Sequence, residues 1–383
     1  MSYTVHYGVL RTGQITSTLP VSSCTAGDEL RGAGSFSATV MAAQSGEGSL
    51  WQATRGARTF WALEWSADSN RRIVAAGPVW ARTGGDDGIQ YGGAGLFSLF
   101  GASKLLDQTW TDAQITAGAL TFSNLDLGSI MAAIAARVTA IAPADVPITF
   151  EAPRVDVNTR TYQGYDLSYA DAMITELGNV SAGTQGNGGP DWAFTPQFKG
   201  NWTTAPDFTR VEWMMTTGAT ASPNLTQTGP ALVIDRSAPQ QQNVGAVSVV
   251  EDASALATTF FNAGGGSQAS KVIGSATDAT LTNLGYPRLD GDDTSSSTDY
   301  VTVAGYAAGG LVQRGRTPSG TTVLVRASWW WAQGLNVGAT VRLIDPDHAV
   351  FGAIDLTSRV LKWSADVTSD WVQLTLADSL TQV

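Results

Sequence analysis

The chain contains 383 residues, enough for two or three domains with their own cores, since single domains usually contain about 100–200 residues. Charged residues make up only 14% of the chain, against about 25% in an average soluble domain. A lightly charged surface favours a protein covered by neighbouring subunits, because buried uncompensated charges are costly. The net charge is −11, and Lys and Arg are not clustered. Both features argue against a protein that binds nucleic acid.

The cysteine content and the N-terminal pattern exclude further classes. The single cysteine, Cys24, excludes an intrachain disulfide framework and a cysteine-based zinc site, and we expect its side chain to be buried or half-buried. The first residues show no charged leader followed by an apolar stretch, so no signal peptide is expected. The apolar segment from Leu127 to Ala142 contains Arg137 and is too short to span a bilayer. These patterns predict a soluble protein made in a cytoplasm.

The first part of the chain is predicted to be β structure. Short apolar runs separated by Gly-rich or Asp-rich turns lie at residues 3–10, 34–40, 60–65 and 72–80. In the third run, alternation places Trp61, Leu63 and Trp65 on one face and Glu64 on the other. The glycines and aspartates of residues 84–88 predict a hairpin loop.

The hydrophobic period becomes helical after residue 126. Asp126 is placed to cap a helix whose apolar positions are Leu127, Ile130, Met131, Ile134, Val138 and Ile141. A second helix is predicted from the capping-box spacing of Ser168 and Asp171, with Gly178 as its C-terminal stop. A loop rich in Gly and Asn follows at residues 181–190. We therefore expect an α/β insert inside a β-rich body.

Strands are predicted again after this insert. Their patterns lie at residues 191–198, 208–215, 244–250, 322–331 and 371–376. The stretch 218–242, rich in Thr, Pro, Asn and Gln, is the predicted domain boundary. Loops are expected around residues 264–266 and 289–293, and a turn at residues 345–347.

Three consecutive tryptophans have the character of a subunit contact. Successive residues of a strand point to opposite faces of a sheet, so a run of three leaves at least one ring needing cover on the far side. A neighbouring subunit provides such cover, because tryptophan is enriched at interfaces. The candidate subunit interface is therefore Trp329, Trp330 and Trp331.

Catalytic patterns are missing from the sequence. The two histidines, His6 and His348, lie in opposite terminal regions, and we expect both at the surface or in turns. No HExxH, P-loop or GxSxG motif occurs. Glycine clusters at residues 32–34 and 92–95 lack the last glycine of a dinucleotide fingerprint. No catalytic, cofactor-binding or metal-binding residue is assigned, and no cofactor or enzymatic activity is expected.

The 13 tryptophans and 33 acidic residues raise an alternative, a glycan-binding or glycan-cleaving protein. Such an enzyme needs two carboxyl groups, one with a raised pKa. The glutamates beside tryptophan, Glu64 and Glu212, alternate with Trp65 and Trp213 and so project from opposite faces of their strands. Tryptophan-rich strands are therefore predicted to form cores or interfaces rather than sugar platforms.

An acidic segment at residues 289–293 has some character of a cation site. Its aspartates, Asp290, Asp292 and Asp293, lack the spacing and terminal Glu of an EF-hand loop. A solvated acidic turn is the favoured interpretation, and a calcium site is the alternative.

A succession of short segments extends over most of the chain, from about residue 30 to residue 376. It runs GAGSFSATV, SYADAMITELGNV, a Gly-rich loop, GPDWAFTPQF, FFNAGGGSQASKV, GYPRLDGDD and GATVRLIDPDHAVFGAIDLTSRVLKWSADVTSDWVQLTL. This succession resembles the tail hub proteins, also called minor tail or tail-associated proteins, of long-tailed bacteriophages that infect actinobacteria.

The resemblance implies a mainly β fold with an α/β insert, an α+β architecture built on two β-barrel domains related to tail-tube subunits. It implies a first barrel at residues 1–115, the insert at 116–200, a return to the first domain and a linker at 201–242, and a second barrel at 243–383. Three chains would form a homotrimer that presents a pseudo-sixfold ring to a hexameric tube.

The implied function is that of a virion protein at the distal tail tip, assembled in the host cytoplasm. The hub closes the tube, connects it to tip or receptor-binding proteins and lets DNA pass through its lumen without sticking to an acidic wall. Implied partners are the distal tail protein, the tape measure protein, and a central fibre, spike or other minor tail protein. The alternatives are a carbohydrate-binding or glycan-hydrolysing tail-tip protein and a distal tail or tube subunit.

Overall fold

The computed structural model describes residues 2–44, 46, 48–67, 70–107, 109–140, 146–180, 189–200, 206–227, 229–237, 241–251, 254, 256–314 and 319–377. The fold is mainly β with helices between the strands, as the sequence predicts. Ile141 and most of the predicted loop at 181–190 lie outside these residues.

The first β region contains seven strands and one short helix. They are β1 (Ser2–Val9), β2 (Gln14–Thr18), β3 (Ser23–Glu29), β4 (Ser35–Met41), α1 (Ser49–Ala53), β5 (Thr59–Ala67), β6 (Asn70–Gly85) and β7 (Gly88–Gly93). The predicted hairpin at 84–88 joins β6 to β7. Cys24 is buried on β3, as expected.

A first insert follows and returns to the sheet. It contains α2 (Asp112–Ala117), β8 (Ala119–Leu125), α3 (Leu127–Thr139), β9 (Ile148–Phe150), β10 (Asn158–Gln163) and α4 (Ala170–Gly178). Asp126 caps α3 by accepting from the Ser129 N–H at 2.6 Å, which confirms that prediction. The capping box predicted for α4 is wrong, because Tyr169 occupies the N-cap without a side-chain hydrogen bond.

The chain then adds β11 (Trp192–Lys199), β12 (Asp207–Thr217), β13 (Leu232–Asp235) and β14 (Val244–Glu251). The predicted boundary at 218–242 thus includes a strand, since β13 pairs in parallel with a later strand, β19 (Thr340–His348). These two strands and β14 belong to a second β region, whose other elements are β18 (Ser319–Arg326), α7 (Ala327–Ala332), β20 (Gly352–Asp366) and β21 (Trp371–Leu376). The turn predicted at 345–347 is a bulge within β19 instead.

A second insert lies between β14 and β18. It contains β15 (Thr259–Ala263), β16 (Ile273–Thr277), α5 (Ala279–Asn283), β17 (Asp290–Thr294) and α6 (Tyr300–Arg314). The acidic segment predicted as a loop forms β17, which pairs in parallel with β15, so that prediction is wrong. Helix α6 packs across this three-stranded sheet.

The two β regions share one hydrogen-bonded sheet. Its main path runs β11-β12-β2-β1-β5-β6-β7-β4-β3-β20-β21-β18-β14. The long strand β6 pairs first with β5 and then with β7, and β20 pairs first with β19 and then with β21 and β3. The antiparallel pair β3–β20 therefore joins the beginning of the chain to its end. Its flanking core contains residues from both regions, among them Trp61, Trp65, Trp330 and Trp363.

A second core lies on the other face of the first β region. Helices α3 and α4 bury Ile130, Ile134 and Leu177 against Phe60 and Trp213 of the strands. Among the helices of the described residues, none is long and apolar enough to cross a membrane.

Candidate functional site

The junction between the two β regions and the first insert is centred on Asp191. This carboxylate is only 1% exposed and accepts from Arg31 Nε at 2.6 Å and from the Arg359 guanidinium. Arg31 lies in the turn between β3 and β4, with φ of 61°, and Arg359 lies on β20. Asp191 itself directly precedes β11. One carboxylate therefore ties together segments that are far apart in the sequence.

Arg31 extends this junction to the end of α4. Its guanidinium donates to the Gly178 carbonyl at 3.0 Å and to the Gly189 carbonyl, and it lies 6.0 Å from the centre of the Trp192 ring. Charge-assisted bonds of this kind are strong and directional. Since both guanidinium groups bond to the same buried carboxylate, the contact is suited to holding the regions in a fixed arrangement.

A second buried carboxylate lies inside the first β region. Glu64 on β5 accepts two bonds from Arg71, at 2.6 and 2.8 Å, and contacts His6 Nε2 at 2.8 Å. Burial raises the pKa of Glu64, but the bonds from Arg71 and His6 outweigh it and lower this pKa to about 2. The expectation that His6 lies at the surface is wrong, because β1 buries it against Glu64.

The carboxylates beside tryptophan do not form an acid–base pair. As alternation predicts, Trp65 lies in the core shared by both β regions while Glu64 points to the opposite face. Glu212 accepts from Gln197 Nε2 at 2.9 Å, and Trp213 next to it is buried. A glycosidase needs a carboxylic acid that is protonated near its working pH, and a Glu64 with a pKa of about 2 is not such a group.

The tryptophan run is helical, so the strand predicted for it is wrong beyond Arg326. Helix α7 turns Trp330 and Trp331 into the core, where Trp331 Nε1 donates to Tyr3 Oη at 2.8 Å and its ring meets Trp363 edge to face at 4.8 Å. Helical spacing, unlike strand alternation, lets these neighbours share the core side. Trp329 is half-buried. The subunit interface at these residues stays a prediction, and Trp329 is the member with exposed surface.

The acidic strand β17 offers no assembled metal site. Asp290 accepts from Arg288 Nε at 2.8 Å. Across the described residues, no group of three or more His, Cys, Asp or Glu side chains could hold a metal ion. His348, at the end of β19, is half-buried, and its ring lies 5.0 Å from that of Phe351.

No protein-family model matches the chain, and no curated protein matches its sequence. Two tail proteins are among the solved structures that are similar in fold. The tail protein from Neisseria meningitidis MC58 is 13% identical, with a TM-score of 0.55 over 99% of this chain and 97% of that one. The 43 kDa tail protein of prophage MuSo2 from Shewanella oneidensis is 12% identical, with a TM-score of 0.52 over 98% of each chain. The chain therefore has the fold of these two tail proteins.

Proposed function

We propose that the chain is a structural subunit of a bacteriophage tail and forms the hub at its distal tip. The observation that carries the proposal is the similarity in fold to two tail proteins, which extends over at least 97% of each chain compared. The hub would close the tail tube, connect it to the tip proteins and open a path for DNA when the genome is ejected.

The joined β regions support a role in rigid assembly. The β3–β20 pair and the Asp191 junction hold both regions and the first insert together through backbone bonds and paired charges. A subunit that transmits contact at the tip to a tube needs such a fixed internal geometry. The net charge of −11 supports passage of DNA without binding, because like charges repel.

In the proposed assembly, three chains form a closed ring. Residues 1–115 supply one barrel, residues 201–242 return to it and link it to the second, residues 243–383 supply the second barrel, and residues 116–200 form the insert. The ring contacts the distal tail protein, the tape measure protein, and a central fibre, spike or other minor tail protein of a phage of actinobacteria. DNA passes through its lumen.

Electron microscopy of the virion tests this proposal directly. We expect density for three copies of the chain at the distal end of the tail tube. Six copies in one ring would favour the alternative of a distal tail or tube subunit. Absence of the chain from the virion would overturn both assignments.

The predicted interface is tested by Trp329→Ala, with native mass spectrometry as the measurement. We expect the variant to keep its thermal unfolding transition, because Trp329 is only half-buried within the chain. We expect it to lose trimer, because the exposed part of the ring would contact the neighbouring subunit. Trp80→Ala is the matched control, since Trp80 is also partly exposed but lies on β6 beside Ser98. An unchanged trimer population in the Trp329 variant would remove this residue from the interface.

A further inference from the structure

A cleft of about 330 Å³ separates the first insert from the second. Helix α4 forms one wall, and β15, β17 and α6 form the other. The two walls meet where Tyr306 of α6 joins the core of the first insert. A pocket of this size accommodates a small organic molecule, since ligand sites range from about 300 to 1,000 Å³.

The floor of the cleft is ordered by close packing. Asn262, which is 3% exposed, accepts from Ser295 Oγ at 2.7 Å, and this bond fixes its amide. Beneath it, the Phe260 ring lies between two glycines. A Cβ at Gly291 would be 2.8 Å from that ring, and one at Gly310 would be 2.3 Å from it. Only glycine fits at these two positions, so the floor is preformed.

The register of strands β15 and β17 places polar side chains on the face that lines the cleft. In the parallel pair β15–β17, Asn262 lies beside Asp293 and Phe261 beside Asp292. Asp293 therefore lines the cleft with Asn262, whereas Asp292 does not line it. Both aspartates are exposed.

Charges of both signs surround the cleft. Glu176 accepts from the Tyr306 hydroxyl and the Ser296 N–H, and the Arg314 guanidinium lies 5.3 Å from the centre of the Phe260 ring. Burial raises the pKa of Glu176, and the charge of Asp293 adds to this, while Tyr306 and the charge of Arg160 oppose it. The cleft thus combines carboxylate acceptors, a guanidinium donor and a fixed amide.

This combination favours a polar ligand with several hydrogen-bonding groups over a phosphate or an apolar molecule. A phosphate group requires clustered cations, and the lining contains one, Arg314, with two carboxyl groups. An apolar ligand requires a mainly apolar wall, whereas most of this lining is polar. A sugar ring offers several hydroxyls that each donate to carboxylates and accept from amide or guanidinium groups.

We propose that the cleft between α4 and α6 is a saccharide-binding site. Asp293 and Glu176 accept from the sugar hydroxyls, and Arg314 and Asn262 donate to them. The site binds a free sugar or the terminal residue of a glycan. It is independent of the proposed position in the tail, because the chain alone contains the whole cleft.

Isothermal titration and amide NMR of the full chain test this site. The probes are glucose, galactose, mannose, arabinose, glucosamine and N-acetylglucosamine, each also as its methyl glycoside. We expect at least one probe to bind with a Kd of about 1 mM or tighter and to shift the Gly310 amide. Binding of the methyl glycoside indicates a terminal glycan residue, and binding of the reducing sugar alone indicates a free sugar. No binding by any probe would overturn the proposal.

Asp293→Asn and Asp292→Asn form a matched pair on one exposed strand. We expect Asp293→Asn to weaken the binding about tenfold or more, because a hydrogen bond to a charged group is lost, and Asp292→Asn to leave it unchanged. Arg314→Gln should weaken it as well. Equal affinities in all variants would place the sugar elsewhere and overturn the assignment. Inorganic phosphate or Ca²⁺ shifting the Gly310 amide in place of sugars would also overturn it.

Discussion

One buried and one half-buried glutamate in this chain have pKa values shifted in opposite directions. Glu64, in the first β region, bonds to a guanidinium and an imidazole, and its pKa falls to about 2. Glu176, at the cleft, has its pKa raised by burial and by the charge of Asp293, although the bonds from the Tyr306 hydroxyl and the Ser296 N–H lower it. Burial raises both pKa values, and of the two carboxylates only Glu64 has charged partners that outweigh this effect.

The difference distinguishes Glu64, a carboxylate that stabilises the fold, from Glu176, a carboxylate that can accept a hydrogen bond from a ligand. At Glu64 the pairing is complete, and the Arg71 guanidinium also lies 4.4 Å from the centre of the Phe208 ring. At Glu176 the groups bonded directly to the carboxylate are neutral. A sugar hydroxyl adds a donor there without displacing a cation. Perturbed carboxyl groups in clefts are typical of binding sites, although structural pairs also perturb them.

Replacement of Arg71 should have the largest effect on the contrast between Glu64 and Glu176. We expect Arg71→Met to lower the free energy of unfolding by about 3–5 kcal/mol, because Glu64 would remain buried without its cation. The measurement is urea unfolding at pH 7. Arg342→Met is the control, since the Arg342–Asp355 pair is exposed and should contribute about 1 kcal/mol or less. Equal losses in the two variants would contradict the structural role of Glu64.

The pH dependence of stability sharpens the assignment of Glu64. Its native pKa lies below its ordinary value, so the unfolded chain takes up the proton first as the pH falls. The stabilisation is complete above about pH 4.5 and is lost towards about pH 2, with a total of about 3 kcal/mol. Unfolding followed across this range should show a steeper loss for the natural chain than for Glu64→Gln. If the stability of the two proteins fell in parallel with pH, the result would argue against a lowered pKa of Glu64.

The smallest effect is expected at Glu176, with the opposite sign. Its native pKa is raised, so the unfolded chain releases the proton first as the pH rises, and the carboxylate destabilises the native state at pH 7. Glu176→Gln should therefore leave stability unchanged or increase it by about 1 kcal/mol at pH 7. The difference should shrink below pH 4, as measured by urea unfolding. A large loss of stability would make Glu176 a structural residue like Glu64.

Much of the fold is predictable from the sequence because its strands and main helix carry strong local signals. The alternation around Trp61 and Trp65, the hairpin of β6 and β7, and the Asp126 cap of α3 are all present as expected. These features depend on side-chain period and turn chemistry, which neighbouring residues determine.

The other features of the fold and of the site depend on contacts between residues that are distant in the sequence. Helix α6 is not identified because glycine and β-branched residues lower its helix propensity, and tertiary packing of Val303 and Ala307 outweighs this. The acidic composition of β17 favours a turn, yet pairing with β15 makes it a strand. The partners of Asp191 and Glu176 come from separate elements, so no local pattern indicates either cluster.

The β3–β20 pairing also has a consequence for the order of folding. Strand β3 is synthesised early and stays an unpaired edge until β20, near the other end of the chain, becomes available. Contacts between such distant segments close slowly, because a long loop must be ordered before they form. An open strand edge is also a template for pairing with other chains. Until β20 has been synthesised, the side of β3 that it will cover is therefore an edge prone to aggregation.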